Sequence, residues 1–393
     1  MHISTPLTDT TSELYFINTY PGAFNMKFTA AKTNLVSSVS IALRAVPAHT
    51  TMNILQCIFI ESSGAGLKLT GNDTELGIET YMPATIEIPG KIAVDAKMLS
   101  EIVRKLPDEI VTFSSDENYM ITISCGKATF MIPGKSGEDF TELPVVERDD
   151  SITMTQFTLK SLILQTIFSI AQKDNNKIMT GECFEVNGSL LRVIALDGHR
   201  ISMRRVALKE EASVPKRVII PGKTLLEISR ILSGEIDDIV TIFFARNHVV
   251  FEIPGTRIVS RLIDGEYFNI DQMISTDYQT KLIIPKAALQ GCIERSLLFV
   301  RENDKKPIIF DMAETELRLS VQSPLGSFDE TLDVTLEGKG FSIGFNPRFM
   351  LDALKVLDDE TVTLYLVNSK APCFIRDEDE TYTYIVLPVN FVR

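Results

Sequence analysis

The chain has no tryptophan and only four histidines among its 393 residues. His2, His49, His199 and His248 are scattered, and none has the close neighbour with which zinc ligands pair. The five cysteines, Cys57, Cys125, Cys183, Cys292 and Cys373, are equally dispersed, with no C-x-x-C pair. That spacing excludes a cysteine metal cluster and leaves buried, reduced thiols of a cytoplasmic protein as the expectation. No run approaches the roughly 18 consecutive apolar residues of a membrane helix, so no membrane partner is expected. Positive charge is short as well: 39 Lys and Arg stand against 52 Asp and Glu, a net charge of −13. Such a chain does not adhere to nucleic acid through a uniformly basic surface. What remains is an ordinary globular composition, 45% apolar and 23% charged, long enough for about two to four domains.

Enzyme signatures are missing too. Gly134-Lys135-Ser136 has the ending of a phosphate-binding loop, but Thr129 stands where that loop needs glycine, and the segment reads as a β-turn. No G-x-S-x-G elbow or G-x-G-x-x-G loop occurs. Asp197-Gly198-His199-Arg200 admits three readings: a turn between strands, a binding surface, or a catalytic Asp–His pair without a companion nucleophile or ligand. No acidic triad for two-metal nucleotidyl transfer is visible. The expectation is no catalytic residue, no metal site and no cofactor.

The chain does contain a repeat. Helical spacing over Met98–Leu106 recurs over Leu225–Leu232 and Met350–Leu357, in register at steps of 126 residues. Each helix precedes a β-rich run: Ile110–Phe113, Ile239–Ile242 and Val362–Tyr365. Earlier in each third, Leu67-Lys68-Leu69, Leu191-Arg192-Val193 and Leu317-Arg318-Leu319 alternate as strands do. Before them lie helical stretches at Leu35–Val46, Leu159–Ala171 and Ala287–Val300. The sequence predicts an α+β chain of three homologous units, 26–148, 149–276 and 277–393. Residues 1–25 read as a disordered tail or as a start placed too early, with Met26 opening the folded body. Ile-Pro-Gly at 88–90, 132–134, 220–222 and 253–255 predicts turns at strand ends. The six helical segments sum to net +8, leaving −21 elsewhere. If helices line one surface, that surface attracts phosphate while the rest repels it, by contacts that carry no base sequence.

Several stretches are similar to the bacterial DNA polymerase III beta subunit family, the replicative sliding clamps. They are Met26-Lys27-Phe28-Thr29, Leu69-Thr70-Gly71-Asn72-Asp73, Ala195-Leu196-Asp197-Gly198-His199-Arg200, Leu262-Ile263-Asp264-Gly265, Ile343-Gly344-Phe345-Asn346 and Tyr384-Ile385-Val386-Leu387-Pro388-Val389. The resemblance implies three clamp-type domains per chain and a ring-shaped head-to-tail homodimer. Helices would line the central channel, with antiparallel sheets outside. It implies a noncatalytic processivity factor, cytoplasmic and nucleoid-associated, that encircles duplex DNA without sequence preference. Its partners would be a second copy, the polymerase III alpha subunit, the clamp loader and other proteins carrying a clamp-binding peptide. A diverged clamp-like binding protein and an enzyme using Asp197 and His199 are the alternatives.

The same resemblance assigns residues. A peptide pocket would use Met179, Leu196, Gly198, His199, Arg200 and Ile201, then Phe268, Gln272 and Met273. It would add Asn346, Phe349, Lys370 and Pro372, with Ile385, Val386, Leu387, Pro388 and Val389 from the C-terminal strand. Arg44, His49, Lys173, Lys177 and Lys223 would face DNA. Phe130 and Ile132 would meet Leu298 and Phe299 of a second copy. Phe268 stands where proline is common in the family, and Gln272 and His49 where arginine is.

Overall fold

The computed structural model describes residues 24–391 except 65, 108, 149, 174 and 302–305. The expected N-terminal tail therefore falls, up to residue 23, outside the described residues. The first described strand, Phe24–Ala31, starts two residues before Met26.

Among the described residues, six α-helices and many antiparallel strands repeat one plan three times. Helices α1 (Lys32–Ala42) and α2 (Ala96–Lys105) pack together in the first unit, α3 (Gln156–Thr166) and α4 (Gly222–Ile231) in the second, and α5 (Lys286–Ser296) and α6 (Pro347–Val356) in the third. The stretches expected to be single long helices each break into an α-helix and a 3-10 turn, at Leu43–Ala45, Ile167–Ser169 and Leu297–Phe299. Local chemistry fixes several helix starts. Asp95 Oδ1 accepts the Met98 N–H at 2.8 Å, Thr155 Oγ1 that of Thr158 at 3.1 Å, and Asn346 Oδ1 that of Arg348 at 3.0 Å. One repeated contact joins helix to helix. Lys160 Nζ donates to the Leu232 carbonyl at 3.1 Å and Lys286 Nζ to the Leu357 carbonyl at 2.6 Å. Each lysine thereby caps the C-terminal end of the neighbouring helix, where free carbonyls and the helix dipole favour a cation.

Among the described residues the strands form sheets of thirteen, nine and four strands, and two of these sheets run across unit boundaries. Thr256–Arg261 of the second unit pairs antiparallel with Leu76–Pro83 of the first, Ile258 opposite Ile78. Tyr382–Val386 of the third pairs in the same way with Arg200–Ala207 of the second, Tyr384 opposite Ser202. The cores follow the sheets: Ala45, Leu76 and Ile78 of the first unit are buried with Leu159, Phe184 and Ile258 of the second. Backbone pairing and continuous apolar packing both resist bending at these junctions.

The Ile-Pro-Gly segments do four different things. That at 253–255 is a turn after a strand end, as expected, whereas Pro89-Gly90 forms no turn and is an irregular link between strands Thr85–Ile88 and Lys91–Asp95. Pro221-Gly222 instead starts α4 directly, with proline at the N-cap. Pro133-Gly134 lies inside strand Ala128–Ser136, correcting the β-turn reading there. That strand passes from pairing with Met120–Cys125 to pairing with Lys91–Asp95 around Gly134. Proline tolerates this because residues 128–133 have one free edge, where no N–H is needed. A Cβ at Gly134 would come within 2.9 Å of the Tyr119 carbonyl, so glycine is required for the crossing.

Candidate functional site

Between the second and third units lies an apolar recess of about 520 Å³. Its size suits a few side chains of a peptide. Met179, Leu196, Gly198, His199, Arg200 and Ile201 form one wall, Phe268 and Met273 a second, and Pro372, Ile385 and Leu387 the third. These eleven were all expected from the sequence.

The turn Asp197–His199 shapes the first wall. Gly198 has φ +83°, a conformation that side chains other than glycine strain to reach. Asp197 Oδ1 accepts the N–H groups of His199 at 3.0 Å and Arg200 at 3.1 Å, and its Oδ2 accepts Arg200 Nε at 3.0 Å. The carboxylate is therefore committed to holding the turn, and the Asp–His catalytic reading loses its acid. The Leu387 N–H donates to the His199 carbonyl at 2.9 Å, carrying the C-terminal strand along the recess. Val389 N–H then bonds the Gly344 carbonyl at 2.8 Å, anchoring that strand's end to the third unit.

Arg200 underlies the recess and joins its two halves. Its side chain is 9% exposed. Nη1 reaches Asp352 Oδ2 of the third unit at 2.6 Å, and Nη2 the Phe168 carbonyl of the second at 2.5 Å. The guanidinium also lies 4.2 Å from the centroid of the Phe349 ring. Burial alone would lower the guanidinium pKa, but Tyr384, Asp352 and Asp197 outweigh it and raise it. Asp352 and Phe168 were not anticipated from the sequence. Only Asp197, three residues before Arg200, gave a local signal.

The other expected pocket residues have different tasks. Phe349 stacks near His199, centroids 6.3 Å apart, and its carbonyl accepts the Tyr384 hydroxyl at 2.9 Å. It supports the wall from behind. Asn346 is spent on capping α6. Val386 is fully buried in the third unit's core, because strand neighbours point to opposite faces and Ile385 already takes the recess side. Gln272 and Lys370 are exposed, and neither they nor Pro388 and Val389 line the recess.

The expected DNA-facing cations divide. His49, Lys173 and Lys177 are exposed. Arg44 and Lys223 are engaged across the first junction instead: Arg44 Nη1 holds Glu227 Oε2 at 3.0 Å, and Lys223 holds Asp73. Of the expected interface residues, Leu298 is 76% exposed and Phe130 36% exposed. Ile132 is 8% exposed and belongs to the first unit's own core, while its neighbour Met131, which the sequence reading passed over, is 68% exposed. Phe299 is half-buried against the core of its own unit.

Three α+β units, joined through shared sheets and carrying a peptide-sized recess at the second junction, define a clamp-type protein. The models of the DNA polymerase III beta subunit match in order: its N-terminal domain at residues 26–144, its central domain at 153–269 and its C-terminal domain at 271–390. A Bacillus subtilis beta sliding clamp is 34% identical over 377 residues, 93% of this chain and 100% of the relative. The crystal structure of a Bacillus subtilis DNA polymerase sliding clamp superposes with TM-score 0.90 at 33% identity, covering 94% of this chain and 100% of that one. A crystal structure from Eubacterium rectale, described as a DNA polymerase III beta subunit, matches with TM-score 0.90 at 54% identity, covering 93% and 99%. The chain belongs to the DNA polymerase III beta subunit family, the beta sliding clamps, and is a noncatalytic subunit.

Proposed function

We propose that two copies of this chain close head to tail into a ring around duplex DNA, and that the recess holds the polymerase and other partners on it. The observation that carries the ring is the repeated junction. The first and second units each offer a strand edge, Leu76–Pro83 and Arg200–Ala207, to a strand of the following unit. The corresponding strand of the third unit, Gly326–Asp333, is an open sheet edge among the described residues. The corresponding acceptor in the first unit is Ala128–Ser136, whose residues 128–133 pair on one side only among the described residues. A second copy satisfies both edges and covers Leu298, Phe130 and Met131. Unpaired edges otherwise invite uncontrolled association.

Within such a ring the helices face the channel, and the exposed His49, Lys173 and Lys177 meet phosphates weakly. Encirclement retains the protein without strong direct affinity, which suits a net charge of −13. The recess takes the apolar and aromatic anchors of short peptides from the polymerase III alpha subunit, the clamp loader and other clamp-binding proteins. Each well-buried anchor contributes about 1.5–3 kcal/mol. Tethering then raises the local concentration of polymerase at the primer end.

The test of the recess is calorimetric titration with a peptide of the polymerase alpha subunit bearing Leu and Phe anchors. Leu387→Glu is expected to weaken it at least about tenfold, because a carboxylate would face an apolar wall. Unchanged affinity would remove the recess from the reading.

A further inference from the structure

A second recess lies between the same two units, past the C-terminal end of α6 and so at the opposite end of that helix from the peptide pocket. It has two adjoining parts. The larger, about 580 Å³, is walled by Phe157, Leu162 and Leu190 of the second unit, with Asp358 and Asp379 of the third. The smaller, about 200 Å³, adds Asp359, Glu378 and Tyr382, and shares Gln165 and Arg204 with the first.

Three features set this recess apart. Phe157 is 49% exposed and Leu190 43%, so its apolar part is wet. Its carboxylates are in excess. Asp377 is saturated by Arg204 at 2.7 Å, the Thr381 hydroxyl at 2.5 Å and the Tyr382 N–H at 2.8 Å. Asp358, Asp359, Glu378 and Asp379 form no salt bridge among the described residues. Finally, one buried polar atom at the acidic end, Gln165 Oε1, lacks a hydrogen-bond partner among the described residues, its amide nitrogen being turned toward the Val356 carbonyl at 3.3 Å.

We propose that this recess is a second docking site, for a partner segment that carries a lysine or arginine beside an apolar or aromatic side chain. The unpartnered Gln165 oxygen and the carboxylates outside any salt bridge call for a multivalent N–H donor, which an ammonium or guanidinium supplies. A bare metal ion fits less well, since no three acidic, histidine or cysteine side chains converge on a metal position among the described residues. The apolar part next to the acidic end requires the cation to arrive with an apolar neighbour, as in a peptide. Duplex DNA is excluded by sign. The α6 helix, about 15 Å long, separates this site from the first, so the two can be filled together.

The experiment titrates N-acetyl-phenylalanyl-arginine amide into the full chain carrying isotope-labelled leucine and isoleucine methyl groups. The Leu190 methyl resonance is expected to shift with a dissociation constant of about 1 mM at low salt, while Ile201 and Leu387 at the first pocket stay put. The Asp358→Asn, Asp379→Asn double variant should bind at least about tenfold more weakly. Both positions are exposed, and an unchanged methyl spectrum elsewhere verifies the fold. Phe157→Ala should weaken binding similarly. No Leu190 shift, equal binding of N-acetyl-phenylalanyl-glutamate amide, or undiminished affinity in the double variant would overturn the proposal. Displacement of the probe by magnesium chloride, beyond the effect of sodium chloride at equal ionic strength, would do so as well.

Discussion

Arg200 offers the sharpest test of how the second junction is held. Its guanidinium is enclosed and bonded to Asp197 and the Phe168 carbonyl on one side and to Asp352 on the other. Replacing it with methionine keeps most of the apolar stem and removes the charge. Charge-assisted hydrogen bonds contribute about 1.5–3 kcal/mol each when buried. Asp352 is 35% exposed, so its bond is screened and is taken at about 1 kcal/mol. Stacking on Phe349 adds about 1 kcal/mol. Part of this sum is recovered because Asp352 rehydrates, leaving an expected net loss of about 3 kcal/mol.

The assay is native-state hydrogen exchange of the amides in Arg200–Ala207 and Tyr382–Val386, which isolates the junction from independent unfolding of other units. Arg200→Met should speed exchange there by about 100-fold. Asp352→Asn alone should have a small effect, and the double variant should resemble Arg200→Met. Strict additivity of the two substitutions, or exchange changes spread evenly over all three units, would refute the argument that Arg200 couples the second unit to the third.

Other outcomes follow from the same reasoning. Glu182 is fully buried, and burial pushes its carboxyl well above the ordinary 4.5, with only Thr166 bonding to oppose it. A raised acid stabilises the fold below the unfolded value and loses that contribution as pH rises through the window above it. Glu182→Gln should therefore gain on the wild type by about 1.4 kcal/mol per pH unit above 4.5, read from urea midpoints; parallel pH profiles would contradict this. Glu227 neutralises both Arg44 and Arg230. Glu227→Ala should free them and steepen the salt dependence of binding to short duplex DNA by roughly one to two phosphate contacts, measured by fluorescence anisotropy. Leu298→Asp should give monomers by light scattering, since a charge would enter the proposed interface. Phe299→Ala should instead lower the third unit's stability by about 2–4 kcal/mol, because that ring packs on its own core.

The repeat was legible because helix periodicity and strand alternation are local properties. The helices at Met98, Leu225 and Met350 and the strands after them fall where their patterns indicate. Their ends were less so: the chain tightens into 3-10 turns at Leu43, Ile167 and Leu297 with no proline or glycine inside the turns to mark the change. Pro133-Gly134 misled because a turn dipeptide also serves a strand that changes partners. Of the eighteen pocket residues that motif similarity named, eleven line the recess. What similarity did not supply was the division of labour within it. Asn346 caps, Phe349 props and Val386 faces inward, roles set by packing across two units. Arg44 and Lys223 show the same limit in charge. Their carboxylate partners lie 183 and 150 residues away, so composition counts them as free cations when geometry does not.

Retention on DNA tests the central claim most directly. Labelled protein is loaded onto a nicked circular plasmid with a clamp loader and ATP, the complex is isolated, and the circle is then cut once. The ring reading predicts stable association with the circle and rapid loss from the linear form, insensitive to base sequence. Equal retention on circular and linear DNA would mean that direct contacts hold the protein, and would contradict encirclement.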